Sequence, residues 1–134
     1  MIYSRTATTI YLFSMELIEV QKKISEKIEQ ISKGRLILKE RGEAKAVTST
    51  EYEKKLAVTV LKLKNNALDY FEGQNVKNLP ATLVLKVAAG IVYSEKLDME
   101  LAETAYKSAI EGIKALESEL NALQSILKFS KYDV

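Results

Sequence analysis

The residues best suited to chemistry are four carboxylates in the last third of the chain. Glu95 and Asp98 lie three residues apart. Glu100 and Glu103 repeat that spacing. On a helix, residues three apart share a face, and paired carboxylates there can bind a hard cation such as Mg²⁺. A solvated, salt-bridged helix face uses the same residues far more often, so we predict no metal site.

All-helical nucleotide pyrophosphohydrolases place such carboxylate pairs on facing helices, downstream of an E-E-x-x-E motif. The nearest segment here is "EYEKK", in which Glu51 and Glu53 have the wrong spacing. A Mg²⁺-dependent hydrolase is therefore a third, minor hypothesis for this chain.

Other catalytic groups are missing from the composition. The chain has no His and no Cys, which excludes Ser-His and Cys-His triads and the usual zinc ligand sets. Its five glycines are isolated from one another, so no glycine-rich phosphate loop is present. We predict a protein that is not an enzyme, with no catalytic residues and no cofactor.

A basic cluster offers an alternative function. Its members surround the first predicted helix junction: Lys33, Arg35, Lys39, Arg41 and Lys45. Glutamates interrupt the cluster, and no aromatic residue alternates with it as a base-stacking platform would require. Nucleic-acid binding through these residues is weakly supported, and a soluble turn explains them equally.

An aromatic pair in a polar loop is a candidate contact for a partner protein. Tyr70 and Phe71 stand among Asn and Gly residues, and Val76 and Leu79 follow nearby. Aromatic residues on loops often anchor partner recognition. The competing interpretation is that these four side chains cap one end of a helical core.

Amphipathic helices must position all of these residues. Residues 1–14 have the composition of extended chain, and we treat them as an N-terminal extension before a single helical domain at 15–134. This extension either lies upstream of the true start or is a short strand or arm that packs on the bundle. Ser14 is a plausible N-cap for a helix from Met15. Gly42 marks either the end of that helix or a kink within it. The apolar face of this first helix is predicted to hold Leu17, Ile24, Ile28, Ile31 and Leu38.

Three further elements follow. A second helical pattern runs from 43 to 64, and a connection spans 65–80, whose "EGQN" centre predicts a small hairpin. Pro80 suits the first turn of a short helix, which Gly90 either ends or bends into the next helix. The last helix is predicted from Tyr93 to Phe129, a length of about 55 Å at about 1.5 Å per residue.

A heptad pattern dominates this last helix. Apolar or small residues recur at alternating steps of three and four: Met99, Ala102, Tyr106, Ala109, Ile113, Leu116, Leu120, Leu123 and Leu127. We name these nine residues the α3 seam. The predicted fold class is all-α, an antiparallel helical hairpin or bundle with a long C-terminal helix. The seam serves as an intramolecular core, or as an intermolecular coiled coil in a homo-oligomer.

Charge and hydropathy limit the partners. Twenty basic and eighteen acidic residues give a net charge of +2, too little for a long-range field toward nucleic acid or lipid. The longest apolar run, "LVLKVAAGIV", is about half a membrane span, so no membrane association is expected. Without cysteines or a recognisable targeting segment, we expect a cytoplasmic setting.

The order of three segments carries a resemblance. The chain reads "EYEKKLAVTVLKLK", then "LPATLVLKVAAG", then "LDMELAETAYKSAIEGIKALESELNALQSI". This order resembles small helical proteins from the early, recombination and replication regions of bacteriophages and prophages of Gram-positive bacteria. The resemblance covers 15–127, although the connection at 65–79 is longer than the family's short link.

The resemblance implies a phage protein in the cytoplasm of an infected or lysogenic host. No activity is established for that family. Our leading hypothesis is a non-enzymatic helical protein that associates with itself or with a host or phage protein, one version being an inhibitor of a host defence enzyme. The alternative is an accessory nucleic-acid-binding protein of a recombination or replication module.

Overall fold

A computed structural model describes the backbone of residues 2–132 and the side chains of residues 16–130. Three helices account for most of it: α1 (Ile2–Lys64), α2 (Ala81–Ile91) and α3 (Tyr93–Tyr132). Two short strands, β1 (Tyr70–Phe71) and β2 (Gln74–Asn75), separate α1 from α2. The predicted all-α class is confirmed.

Helix α1 already includes the segment whose composition favoured extended chain. It begins at Ile2, so the backbone at Ser14 is helical and the helix does not start at Met15. Local propensity is a weak preference, and extending an existing helix adds one hydrogen bond for each residue fixed. The side chains of 1–15 lie outside the described part, so the proposed N-terminal extension remains a prediction.

Gly42 lies within helix α1 and does not end it. A Cβ built at Gly42 would stand 3.4 Å from Cε2 of Tyr106, an ordinary contact distance. A helix C-terminal glycine takes a left-handed conformation. Gly42 is not among the positive-φ glycines, whereas Gly73 is, at +74°. Of the two alternatives, a helix end at Gly42 is therefore excluded, and α1 continues through it.

Helix α1 ends where the sequence predicts, through a Schellman motif. Asn66 has a φ of 55° and donates its backbone N–H to the Leu63 carbonyl at 3.2 Å. The Ala67 N–H donates to the Lys62 carbonyl at 2.8 Å. These two bonds satisfy carbonyls that the helix terminus would otherwise leave free. Asn is among the few residues that tolerate this conformation.

The predicted hairpin forms, with "EGQN" as its turn and second strand. Strands β1 and β2 pair antiparallel, with Tyr70 opposite Asn75 and Phe71 opposite Gln74. Glu72 and Gly73 both have positive φ, at 50° and 74°. Two positive φ angles define the type I′ turn, whose twist matches that of the paired strands.

Helices α2 and α3 meet at Val92. Its N–H donates to the Ala88 carbonyl and its carbonyl accepts from Lys96, each at 3.1 Å. The Val92 side chain is fully buried. Helix α2 begins at Ala81 with Pro80 as its N-cap, one residue later than predicted. The helix ends at Ile91, one residue after Gly90, and α3 begins at Tyr93.

The chain divides into two compact units. Unit 1 comprises Met1–Leu38 with Ala109–Val134, and unit 2 comprises Lys39–Ser108. The core of unit 2 joins the end of α1, the hairpin and α2. Its buried residues are Leu63, Val76, Val84 and Ala88, packed against Leu56, Val60, Leu68, Phe71, Leu79, Val87 and Ile91. Across the described residues, no helix is long and apolar enough to cross a membrane.

Candidate association surfaces

The α3 seam is partly covered along its whole length. All nine of its residues are half-buried, and none reaches full burial. Residues between them are mostly exposed, so the seam is the more covered face of α3. The helix is continuous through Gly112, so Ile113 and Leu120 lie on a covered face.

Helix α1 supplies the opposing seam in unit 1. Its covered positions follow steps of three and four: Leu17, Val20, Ile24, Lys27, Ile31, Gly34 and Leu38. Ile28, which we had placed on this face, is 54% exposed, so that assignment is wrong. Lys27 and Gly34 hid the correct register, because a hydrophobicity pattern cannot recognise a charged residue or a glycine as a seam position.

Two contacts fix how α1 and α3 pair in unit 1. Lys27 forms a salt bridge with Glu119. Seven residues further along α1, Gly34 faces Ile113, whose Cγ1 would be 3.2 Å from a Cβ at Gly34. Because the α3 partner number falls as the α1 number rises, the two segments run antiparallel within this unit.

The basic cluster divides in this structure. In unit 2, the Arg41 guanidinium donates a 3.0 Å hydrogen bond to the Ala105 carbonyl, and the Lys45 ammonium lies 4.9 Å from the centre of the Tyr106 ring. In unit 1, Lys33 pairs with Glu29. Arg35 and Lys39 are exposed. Three of the five predicted phosphate ligands therefore have intramolecular partners.

The carboxylate pairs are likewise partly engaged. Glu95 accepts a hydrogen bond from Lys55 of α1, and that bond holds the pKa of Glu95 below its ordinary value of 4.5. Glu103 pairs with Lys107 at 3.2 Å on its own helix. No three metal-ligating side chains converge among the residues described.

A shallow groove opens beside the Lys55–Glu95 pair. It has a volume of 440 Å³ and is lined by Glu51, Lys54, Lys55, Val58, Thr59, Lys62 and Glu95. Thr59 is buried at 5% exposure and is the one buried polar residue of the described part. Sequence reasoning missed this groove, because its lysines follow α1 at ordinary solvent-face spacing.

The four loop residues separate into core and surface. Val76 is buried at 4% exposure, and Phe71 and Leu79 pack against the same cluster. The Phe71 ring also covers Gly90, where a Cβ would stand 3.6 Å from Cε1. Tyr70 is 70% exposed. Among these four predicted partner-binding residues, Tyr70 alone is exposed.

Comparison with known proteins gave no relative: no family model, curated protein or solved structure matches the chain.

Proposed function

We propose that this protein is a non-enzymatic helical association protein. It acts by covering one helical surface with another, as a homo-oligomer or by binding a host or phage protein. In unit 1, the α1 and α3 segments pair antiparallel, and their uncovered faces meet the partner. The partner-binding step is surface occupation and requires no reacting group.

The incomplete burial of unit 1 carries the proposal. Ile31, at 6% exposure, is its one buried apolar side chain in the described residues. Apolar side chains remain largely exposed there, including Leu36 at 64% and Phe129 at 70%. Two isolated helices bury too little apolar surface to offset the entropy of ordering them. A further helical layer supplies the missing burial.

The phage or prophage setting rests on the resemblance in segment order. In that setting the natural partners are phage proteins or proteins of the infected host. Inhibition of a host defence enzyme by docking is one such use, since it needs only an occupied surface. Capture of phage or host proteins from an infected-cell lysate, with an uninfected lysate as the control, tests this setting.

Nucleic-acid binding remains the second candidate, on weaker ground. Arg35 and Lys39 are exposed, whereas Arg41, Lys45 and Lys33 have intramolecular partners. Binding through phosphates weakens steeply as salt rises. A DNA titration at low and at physiological salt tests it, and we expect no salt-dependent binding. Salt-dependent binding that the double variant Arg35→Glu with Lys39→Glu removes would support this second candidate.

Light scattering on the purified chain tests self-association directly. We expect a molar mass above the chain mass of 15.1 kDa that rises with concentration. A chain that stays monomeric at every concentration would leave only hetero-association within the proposal.

A further inference from the structure

The groove beside the Lys55–Glu95 pair lies wholly within unit 2, and the proposed association does not use it. Its volume of 440 Å³ falls within the range of about 300–1,000 Å³ that is usual for small-molecule sites. Three lysines and two glutamates line it, so its overall charge is positive, and Val58 is its one apolar lining residue. These features favour a small polar ligand over an apolar one.

The buried side chain of Thr59 points to a ligand. It lines the groove and is 5% exposed. Its hydroxyl makes no hydrogen bond within the described part of the chain, whereas Thr48 and Thr50 of the same helix each donate at 2.8 Å to the carbonyl four residues earlier. Among the described residues, every side-chain N or O atom that is sealed from solvent has a partner. The Thr59 hydroxyl therefore opens into the groove, where its hydrogen bond is available to a ligand.

Lysines flank this hydroxyl along α1. Lys55 lies four residues before Thr59 and Lys62 three residues after it, so the three side chains share one face of the helix. Lys55 is paired with Glu95. Lys54 and Lys62 form no ion pair within the described residues. Lys62 thus supplies an uncompensated positive charge within one helical turn of the Thr59 hydroxyl.

The two glutamates leave this end of the groove positive. Glu95 is compensated by Lys55. Glu51 lies eight residues before Thr59, about 12 Å along the helix axis at about 1.5 Å per residue. That separation exceeds the screening length of about 10 Å at 0.1 M salt, so the repulsion from Glu51 is weak at Thr59. Lys62 lies only about 4.5 Å from Thr59 along the same axis, and its attraction prevails.

We propose that the Thr59 end of this groove binds the oxyanion of a small molecule, a phosphate or a carboxylate group. The Thr59 hydroxyl donates a hydrogen bond to one oxygen, and the Lys62 ammonium donates a charge-assisted hydrogen bond to the same group. Lys54, which lines the same groove, adds a second positive charge. This inference goes beyond the proposed function, which rests on unit 1, and neither requires the other.

Amide NMR of the ¹⁵N-labelled chain tests the site with two probes, sodium phosphate and sodium acetate, titrated separately. Sodium chloride at the same ionic strength is the reference, because screening alone moves the resonances of charged surfaces. We expect saturable shifts of the Thr59, Lys62 and Glu95 amides with at least one oxyanion and none with chloride. Tighter binding of phosphate would assign a phosphate-bearing ligand, and tighter binding of acetate a carboxylate.

Thr59 variants test the hydroxyl. Thr59→Val keeps the shape of the side chain and removes the donor, so the dissociation constant of the oxyanion should rise at least about fivefold. Thr59→Ser keeps the donor, and the constant should stay within about twofold of the wild-type value. Thr50→Val, on the same helix and outside the groove, is the matched control. Circular dichroism checks that each variant retains its helix content.

Lysine variants test the charge. Lys62→Gln should raise the dissociation constant at least about tenfold, because it removes a charge-assisted hydrogen bond. Lys64→Gln removes the same charge two residues along α1, outside the groove, and should raise it less than about twofold.

Three results would overturn the site. The first is shifts that follow ionic strength alone, or that never saturate with either oxyanion. The second is equal weakening by Lys62→Gln and Lys64→Gln, which would show binding to diffuse positive charge. The third is undiminished binding by Thr59→Val. A monomeric chain that binds an oxyanion saturably would contradict the proposed self-association and support this inference, and an oligomer that binds neither oxyanion would do the reverse.

Discussion

Ile113 packs directly against the backbone of Gly34, so closely that a Cβ added at Gly34 would lie 3.2 Å from the Ile113 Cγ1. This is the closest approach of α1 to α3 among the described glycines. It explains a glycine in the middle of a helix, where conformational entropy opposes it. At this point of unit 1, the Ile113 side chain reaches the α1 backbone because Gly34 has no side chain.

The first prediction concerns this contact. Gly34→Leu is expected to lower the free energy of unfolding by about 1–3 kcal/mol, because the added side chain overpacks against Ile113. Gly112→Ala, where the added Cβ meets open space, is the control and should raise it by about 0.5–1 kcal/mol through helix propensity. Urea unfolding followed by circular dichroism at low protein concentration measures both. Equal or greater stability of Gly34→Leu would contradict the packing.

The second prediction concerns the core of unit 2. Leu63 is 2% exposed, whereas Leu61 on the same helix is 59% exposed. Leu63→Ala should destabilise the chain by about 2–5 kcal/mol, since it removes buried methyl groups and leaves a cavity. Leu61→Ala should change stability by about 0.5 kcal/mol or less. Thermal and urea unfolding of the two variants measures these changes in stability. Similar losses of stability in both variants would mean that the buried face assigned to α1 is wrong.

The third prediction concerns the charged seam position Lys27. Its salt bridge with Glu119 is partly exposed, so Glu119→Gln should cost about 0.2–1 kcal/mol. Lys27→Leu should instead stabilise unit 1, because an apolar side chain at a seam position buries more surface than the ion pair it replaces. Denaturant midpoints test the sign of each change. Destabilisation by Lys27→Leu beyond that of Glu119→Gln would show that Lys27 has another role.

The fourth prediction concerns pH. The Lys55 hydrogen bond holds the pKa of Glu95 below 4.5 in the folded chain. A depressed carboxyl pKa contributes stability above the unfolded value, and this contribution is lost as the pH falls through the folded value. The stability difference between wild type and Glu95→Gln should therefore shrink as the pH falls below 4.5.

Carboxyl NMR of the Lys55→Met variant provides the direct check on that pH dependence. The Glu95 resonance should titrate closer to 4.5 than in wild type, because the variant lacks the donor. An unchanged titration would exclude Lys55 as the cause.

The sequence predicted the helical class, the end of α1, the hairpin and the α3 seam, since each has a local signal. Asn66 tolerates the left-handed conformation at the helix end, and apolar side chains mark the seam. Lys27 and Gly34 carry no such signal. They occupy seam positions because Glu119 and Ile113 of α3 lie opposite them. A local hydrophobicity pattern contains no information about the residues of an opposing helix.

The same limit explains why the sequence left Gly42 open between a helix end and a position within the helix. Glycine favours helix ends through its own backbone freedom, but here it lies under the Tyr106 ring in mid-helix. Likewise, the sequence alone suggests that the basic cluster is unpaired. The structure shows that Arg41 donates a hydrogen bond to the Ala105 carbonyl. Local reasoning predicts which elements form more reliably than which side chains they engage.

Sedimentation equilibrium of the wild-type chain over a range of concentrations is the most direct test of the proposed self-association. The molar mass should rise above the chain mass of 15.1 kDa as the concentration rises. A wild type that stays at 15.1 kDa at every concentration would contradict self-association.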